Sequence, residues 1–416
     1  MVYVKDLPEI NYLVLNPADN IGILVFSGGL RGQALKCLNH SEGMIRLKGQ
    51  VPKGHKIAIR KIKNNQPIIK SGQIIGIASK NIDAGEHAHV HNIRFSDKIS
   101  FSVKDLRNPL VLSDSRKDAL PNHFNGFLRE DGRAGVRNYI LVVSTVNCSA
   151  SVTKEIAAYF KNKDLSKQGI DGVIPITHQS GCALSENGYT YKLLNRALAG
   201  YLTHPNVVGS VIMGLGCEMI TCESISSVLD SGYKSGKVCR EHINIQDAGG
   251  TKKSIKLGIQ RVEKLLSKLP VFKRRELPVS LLNLALKCGG SDAFSALTAN
   301  PALGKASDML VSLGGTAIMG ELPECFGGEG ILLKRCLRKA DENKLKNLFS
   351  WWSDYTKRNN VVMNDNISLG NIKGGISTIL EKSIGAIAKG GVSPISEVVD
   401  YAQRNTRKGL IFMNTP

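Results

Sequence analysis

Cysteine, histidine and glutamate recur in this chain at the ends of short apolar runs, and that set of side chains can ligate a metal ion or move protons. Five runs end this way: Val142 to Cys148, Val173 to Cys182, Val207 to Glu218, Leu282 to Asp292 and Thr316 to Glu324. They gather Cys148, His178, Cys182, Cys217, Glu218, Cys288, Ser291, Asp292, Glu321 and Glu324 onto strand ends, where open α/β sheets place their chemistry. Thiolate, imidazole and carboxylate together suit iron, zinc or manganese. No Cys-x-x-Cys pair occurs, so such a site has to be assembled from separate loops. For Lys287-Cys288-Gly289-Gly290-Ser291-Asp292 a tight turn with a helix cap is the plain alternative.

A second group lies near the N-terminus. Gly85-Glu86-His87-Ala88-His89-Val90-His91-Asn92 carries imidazoles at alternate positions, and on a strand all three would face one side, as metal ligands or as a polar face. Pro52-Lys53-Gly54-His55-Lys56 offers a turn with cations suited to a carboxylate, or a solvated hairpin. Arg129 to Asn138 brings Arg129, Arg133 and Arg137, whose forks suit a carboxylate or interdomain ion pairs. Gly370-Asn371-Ile372-Lys373-Gly374-Gly375 reads as a backbone cradle for an anion or a plain glycine turn.

The elements that must position these residues change character along the chain. Up to about residue 93, short apolar stretches (Ile21 to Phe26, His55 to Ile59, Pro67 to Lys70, Ile74 to Ala78) alternate with glycine turns, which predicts a small all-β module. Residues 94–123 lose periodicity and read as a linker. From 124 to 416 strands alternate with helices: strands at Tyr139 to Ser144, Gly172 to Ile176, Val207 to Met213, Leu281 to Leu286 and Thr316 to Met319, helices near 151–160, 189–202, 255–269 and 331–349. That rhythm predicts a larger α/β domain with a doubly wound, mostly parallel sheet.

Composition narrows the function. With 416 residues and 42% apolar content the chain buries a sizeable core, and no run reaches the roughly 18 to 20 apolar residues of a membrane span. The start lacks the apolar core of a signal peptide, so the chain reads as cytoplasmic with no membrane partner. Nine cysteines in a reducing compartment point to ligation or chemistry rather than a disulfide framework. A formal charge of +20 raises nucleic acid, but the basic residues are spread along amphipathic segments, only 6% of residues are aromatic, and no reading motif is visible. A small anionic substrate accounts for the charge without nucleic acid.

At this point the motifs resemble the altronate and galactarate dehydratase family of sugar-acid dehydratases. Pro17-Ala18-Asp19-Asn20, Pro52 to Ala58, Ile75-Gly76 and Gly85 to Asn92 look like its small β-clip, or SAF, domain. Arg129 to Asn138, Thr145-Val146-Asn147-Cys148, Gly181-Cys182, His204-Pro205-Asn206, Gly214 to Glu218, Cys288 to Asp292, Thr298 to Pro301 and Gly370-Asn371 are similar to motifs of its large domain. The resemblance implies removal of water from an aldonic or aldaric acid to give a 2-keto-3-deoxy acid through a metal-stabilised enediolate. Fe2+ is the metal it implies, with Mn2+ or Mg2+ as substitutes and an iron–sulfur cluster left open. On this reading His178, Glu218 and Glu321 are candidate bases. Lys56, Arg133, Arg137, Ser291, Asp292, Asn371 and Lys373 are candidate substrate ligands, and Cys148, Cys182, Cys217, Cys288, His87 and His89 candidate metal ligands. A sulfolactate sulfo-lyase, which expels sulfite, and a non-catalytic sugar-acid binding protein are the alternatives.

Two departures qualify the match. Ser368-Leu369-Gly370-Asn371-Ile372-Lys373 stands where the family reads Ser-Pro-Gly-Asn-Lys, and Gly320 precedes Glu321 where a hydroxyl residue is common. Family members also continue past the point matching Lys408 to Phe412 with a Thr-Gly-Arg-Gly-Thr-Pro segment. The resemblance therefore implies either a truncated or degenerate member or one whose missing part a second polypeptide supplies; a homo-oligomer is the other expected partner arrangement.

Overall fold

The computed structural model describes residues 10–39, 45–101, 120–232 and 239–416; of the expected linker, residues 102–119 lie outside this set. The chain forms two compact units. One combines residues 1–119 with 283–400 and 405–416, and the other holds 120–282 and 401–404.

The second unit is built on a parallel sheet in the order Gly172–Ile176, Tyr139–Ser144, Val207–Gly214, Cys239–Asn244. Its central strands are apolar without alternation because both faces are covered. Ile140 and Val142 pack on Val152, Ile156 and Val262 of helices Ala150–Tyr159 and Thr251–Lys268. Leu141 and Val143 point the other way, onto Leu198, Leu202 and Ile225 of helices Tyr189–Leu202 and Cys222–Gly232. The doubly wound, parallel arrangement expected from the strand–helix rhythm is thus present. An antiparallel pair, His123–Leu128 with Arg275–Pro278, lies where the chain enters and leaves the unit.

The first unit contains the β module and a second parallel sheet. The module has a six-stranded and a three-stranded sheet over a core of Ile21, Ile23, Ile68, Ile75 and Ile82. The parallel sheet runs Asn283–Leu286, Thr316–Met319, Gly409–Met413, Ile395–Val399 around Leu286, Met319, Leu410 and Phe412. The five motif loops therefore divide three to two between separate sheets. The helix expected over 331–349 is two helices, Glu329–Arg335 and Lys339–Arg358. Between them Cys336 bridges to Ile395, and Leu337 N donates to Ile395 O at 3.0 Å, so sheet pairing draws the backbone out of the helix.

Helix Ile379–Ala388 fastens the β module to this sheet. Thr378 caps it, accepting from Glu381 N at 3.3 Å, and donates its own hydroxyl to Ile75 O in a very short contact. One turn in, the buried Glu381 receives Lys56 at 2.8 Å and Lys70 at 2.7 Å, with Ser377 N at 2.8 Å as a further donor. Burial alone would raise the Glu381 carboxyl, but the two ammonium groups outweigh it and hold it at about 2. Burial pushes Lys56 down to about 8, against the opposing pull of Glu381 and with a smaller push from Lys70.

Removing Glu381 strands two cations in the core, so Glu381→Ala is expected to destabilise the first unit by about 3–5 kcal/mol. Because its folded pKa is depressed, the stability Glu381 contributes is complete above the ordinary carboxylate range and fades as pH falls toward about 2. Urea unfolding followed by hydrogen exchange of the Ile75 and Ile384 regions, at pH 7 and near pH 3, checks both; an Ala variant as stable as the parent at pH 7 contradicts them.

Candidate functional site

The second unit carries three of the motif loops on one edge of its sheet. Cys148, Cys182 and Cys217 follow adjacent strands, and the loops are tied by Asn147 N to Ser180 O at 3.0 Å and Met219 N to Cys182 O at 3.1 Å. Glu218 accepts from Thr145 Oγ1 at 2.6 Å, Leu215 N at 3.0 Å and Gly216 N at 2.8 Å. Burial works against ionisation there, but these hydrogen bonds prevail and its pKa is lowered, so Glu218 is a loop clamp rather than a free base. Burial lowers the His178 pKa; Nδ1 accepts from Ser180 N at 3.2 Å and Nε2 is buried with no partner.

The expected arginine anchors lie at the opposite edge of that sheet. Arg133 is paired with Asp131 at 2.6 Å, and Arg137 reaches Asp171 at 3.8 Å beside the start of strand Gly172–Ile176. A cavity of about 460 Å³ opens near them, lined by Arg129, Arg133, His204, Lys268 and Phe272. It does not reach the thiol loops. Arg133 and Arg137 are therefore not grouped with the bases His178 and Glu218, and Glu321 belongs to the other unit.

In the first unit the remaining candidates converge from four segments. His55 precedes strand Lys56–Ala58, His87 opens the neighbouring strand His87–Ala88, and His89 follows it in a turn. Ligand atoms of these three imidazoles lie within 4.8 Å of one another. The strand is too short to carry the 87, 89, 91 alternation, so the third member of the trio is His55; His91 lies beside His87 with ring centres 5.2 Å apart and the rings tilted by 51°. His55 Nε2 meets the carbonyl of Lys373 at 3.0 Å and so donates its proton there, leaving the Nδ1 lone pair facing His87 Nε2 at 3.0 Å. That spacing matches the edge between two nitrogens on one cation with bonds of about 2.1 Å, and the carbonyl partner fixes the ring as metal-bound histidines require. Burial first, then the neighbouring imidazoles, pushes His87 down to about 3; burial and Lys56 push His89 down to about 4. All three rings thus offer lone pairs at neutral pH, the donor set of a divalent metal.

The glycine cradle joins this trio to the Cys288 loop. Gly375 has φ +95° and lies so close to Gly54 that a Cβ would sit 2.5 Å from its carbonyl oxygen, so only glycine fits. Asn371 donates to Ser291 O at 2.8 Å and accepts from Ser368 N at 3.0 Å; Ala293 N donates to Gly374 O at 3.0 Å. Asp292 is engaged in a reciprocal cap with Ser295 at 2.6 and 2.9 Å. Asn371, Asp292 and the Ser291 carbonyl are therefore occupied in shaping the loops, and Lys373 acts through its backbone while its side chain is exposed. Lys56, expected on a substrate carboxylate, is buried under Glu381 instead.

Behind the Cys288 loop sits a charged group. Glu321, in left-handed backbone at φ 62°, accepts from Cys288 N at 3.2 Å and is in very short contact with the fully buried Lys389, while Lys287 approaches its other oxygen at 3.7 Å. A non-glycine residue held there stores strain of the kind found at functional sites. Burial would lower the Lys389 pKa, but Glu321 and the Cys288 thiol reverse the effect, so the ammonium persists. Cys288, Glu321 and Glu324 also lie within mutual reach, and Glu324 Oε2 is buried without a partner. Yet both carboxylates already hold lysines, Glu324 holding Lys382 at 2.9 Å, so a cation there must displace ammonium groups. The histidine trio offers neutral donors with no ammonium group to displace. Lys389 was not legible in advance: Ala388-Lys389-Gly390-Gly391 reads as an ordinary helix end.

Family models match almost all of the chain. Residues 10–96 match the altronate/galactarate dehydratase SAF domain, 126–270 the second domain of D-galactarate dehydratase/altronate hydrolase, and 279–416 the C-terminal domain of D-galactarate/altronate dehydratase. Altronate dehydratase of Bacillus subtilis is 32% identical over 409 residues, covering 98% of this chain and 79% of that protein. The chain belongs to the altronate/galactarate dehydratase family. Galactarate dehydratase (L-threo-forming) of Escherichia coli is 30% identical over 432 residues, covering 99% of this chain and 78% of that enzyme. Two subunits of the (2R)-sulfolactate sulfo-lyase of Chromohalobacter salexigens are each similar to part of the chain. Its beta subunit is 28% identical over 295 residues, 70% of this chain and 71% of the subunit, and its alpha subunit 33% identical over 89 residues, 21% of this chain and 95% of the subunit. The SAF match coincides with the β module that carries the three imidazoles. No helix among the described residues is long and apolar enough to cross a membrane.

Titration with Co2+ under anaerobic conditions, followed by its visible absorption, should report one site whose affinity falls at least about tenfold in His55→Ala and in His87→Ala. Affinity unchanged in both variants, or lost only in Glu324→Gln, contradicts the assignment.

Proposed function

We propose that this chain removes water from a sugar acid of the altronate or galactarate type, at a site in the first unit made of the imidazole trio and the Glu321–Lys389 pair. The direct contact between a buried carboxylate and a buried ammonium carries this reading, in a chain whose relatives are named as dehydratases. A divalent cation on His55, His87 and His89, with Fe2+ the ion the family resemblance implies, supplies a Lewis acid for substrate oxygens.

Glu321 accepts the proton from C2, and Lys389 gives a proton to the departing C3 hydroxyl, which leaves as water. The C2–H electrons become the C2–C3 double bond, and the resulting enol tautomerises to the 2-keto-3-deoxy acid. The proton then on Glu321 returns to Lys389 through their existing contact, restoring both groups. Lys287, 77% exposed at the mouth of this pair, holds the substrate carboxylate in place of the buried Lys56. The net charge of +20 favours approach of such an anion.

Incubating the anaerobic, Fe2+-supplemented protein with altronate, galactarate and sulfolactate identifies the substrate by its product. A 2-keto-3-deoxy acid is expected from a sugar acid, with kcat lowered about 10²–10⁴-fold in Glu321→Gln and in Lys389→Met. Sulfite from sulfolactate alone, or a Glu321→Gln variant as active as the parent, overturns the proposal.

A further inference from the structure

The reaction proposed above uses none of the three cysteines on the second unit. Cys148, Cys182 and Cys217 end three neighbouring parallel strands, and backbone hydrogen bonds of 3.0 and 3.1 Å lock their loops together. Cys182 and Cys148 are the thiols near Cys217. All are free thiols; Cys148 and Cys217 are exposed and Cys182 half-buried.

We infer that Cys148, Cys182 and Cys217 form a three-thiolate site for an iron–sulfur cluster that leaves one iron without a protein ligand from this trio. The spacing favours a cluster over a single ion. Among the described residues, the donor sets lying wholly within 4.8 Å are His55–His87–His89 and Cys288–Glu321–Glu324, so the three sulfurs spread wider than the compact shell that metal–sulfur bonds of about 2.3 Å would draw around one zinc. Cluster sulfurs sit on separate irons and accept the wider span. The surroundings suit it as well: the Glu218 clamp fixes the Cys217 loop, and the ring of His178, four residues before Cys182, keeps Nε2 buried and without a hydrogen-bond partner.

This inference does not rest on the dehydratase reading. It is tested by reconstituting the full chain anaerobically with ferrous iron, sulfide and a thiol reductant, then measuring iron, acid-labile sulfide and visible charge-transfer absorption. About four irons and four sulfides per chain are expected beyond the iron held elsewhere, bleaching in air. Cys148→Ser, Cys182→Ser and Cys217→Ser should each lower sulfide content at least about fivefold with unchanged circular dichroism, while Cys336→Ala in the other unit retains it. No sulfide uptake by the parent, one zinc bound without sulfide, a Cys182–Cys217 disulfide in the anaerobically purified protein, or thiol variants as sulfide-rich as the parent would each overturn the assignment.

Discussion

Glu381 between Lys56 and Lys70 is the interaction on which the rest of the first unit depends. It sits on the helix that Lys389 caps and grips the strand that begins directly after His55. One buried carboxylate thereby ties the imidazole trio and the Lys389–Glu321 pair, which lie far apart in the chain, to a common support. Such a triad gains little net stability over an apolar plug of the same shape, since desolvating three charges offsets most of the attraction. Its value lies in geometry: an unpaired ammonium in that core is costly enough to forbid other placements of the helix on the module.

Two kinds of electrostatic environment result from this support. Around His55, His87 and His89, burial and nearby cations keep three rings neutral and ready to donate lone pairs. Around Glu321 the opposite holds, with its carboxylate keeping the buried Lys389 ammonium charged. A metal ion and a proton-transfer pair need those contrasting conditions, and the cradle from Asn371 to Gly375 joins them by touching both His55 and the Cys288 loop.

Much of the architecture was legible in the chain itself. Uninterrupted apolar runs such as Tyr139 to Ser144 announce strands covered on both faces, and the glycine-punctuated start announces a β module. Less legible was the division of motif loops between two sheets, because periodicity identifies a strand without naming its neighbours. That Cys288 and Glu321 meet follows only from the sheet, strand Asn283–Leu286 lying beside Thr316–Met319. His55 and Lys389 were overlooked as chemical groups since a histidine in a turn and a lysine at a helix end are common for other reasons. Lys56 was misplaced for the converse reason: nothing local distinguishes a lysine bound for solvent from one buried against a carboxylate 325 residues away.

The central claim is that the β module, through its imidazoles, holds the metal of a dehydratase site. A manganese-edge anomalous difference map from crystals grown with Mn2+ and a sugar acid tests it most directly. The account predicts a peak ringed by His55, His87 and His89, with the sugar acid bound in the same unit and C2 facing Glu321. A trio without metal, or manganese seated on Glu321 and Glu324 with Lys389 and Lys382 displaced, would contradict it.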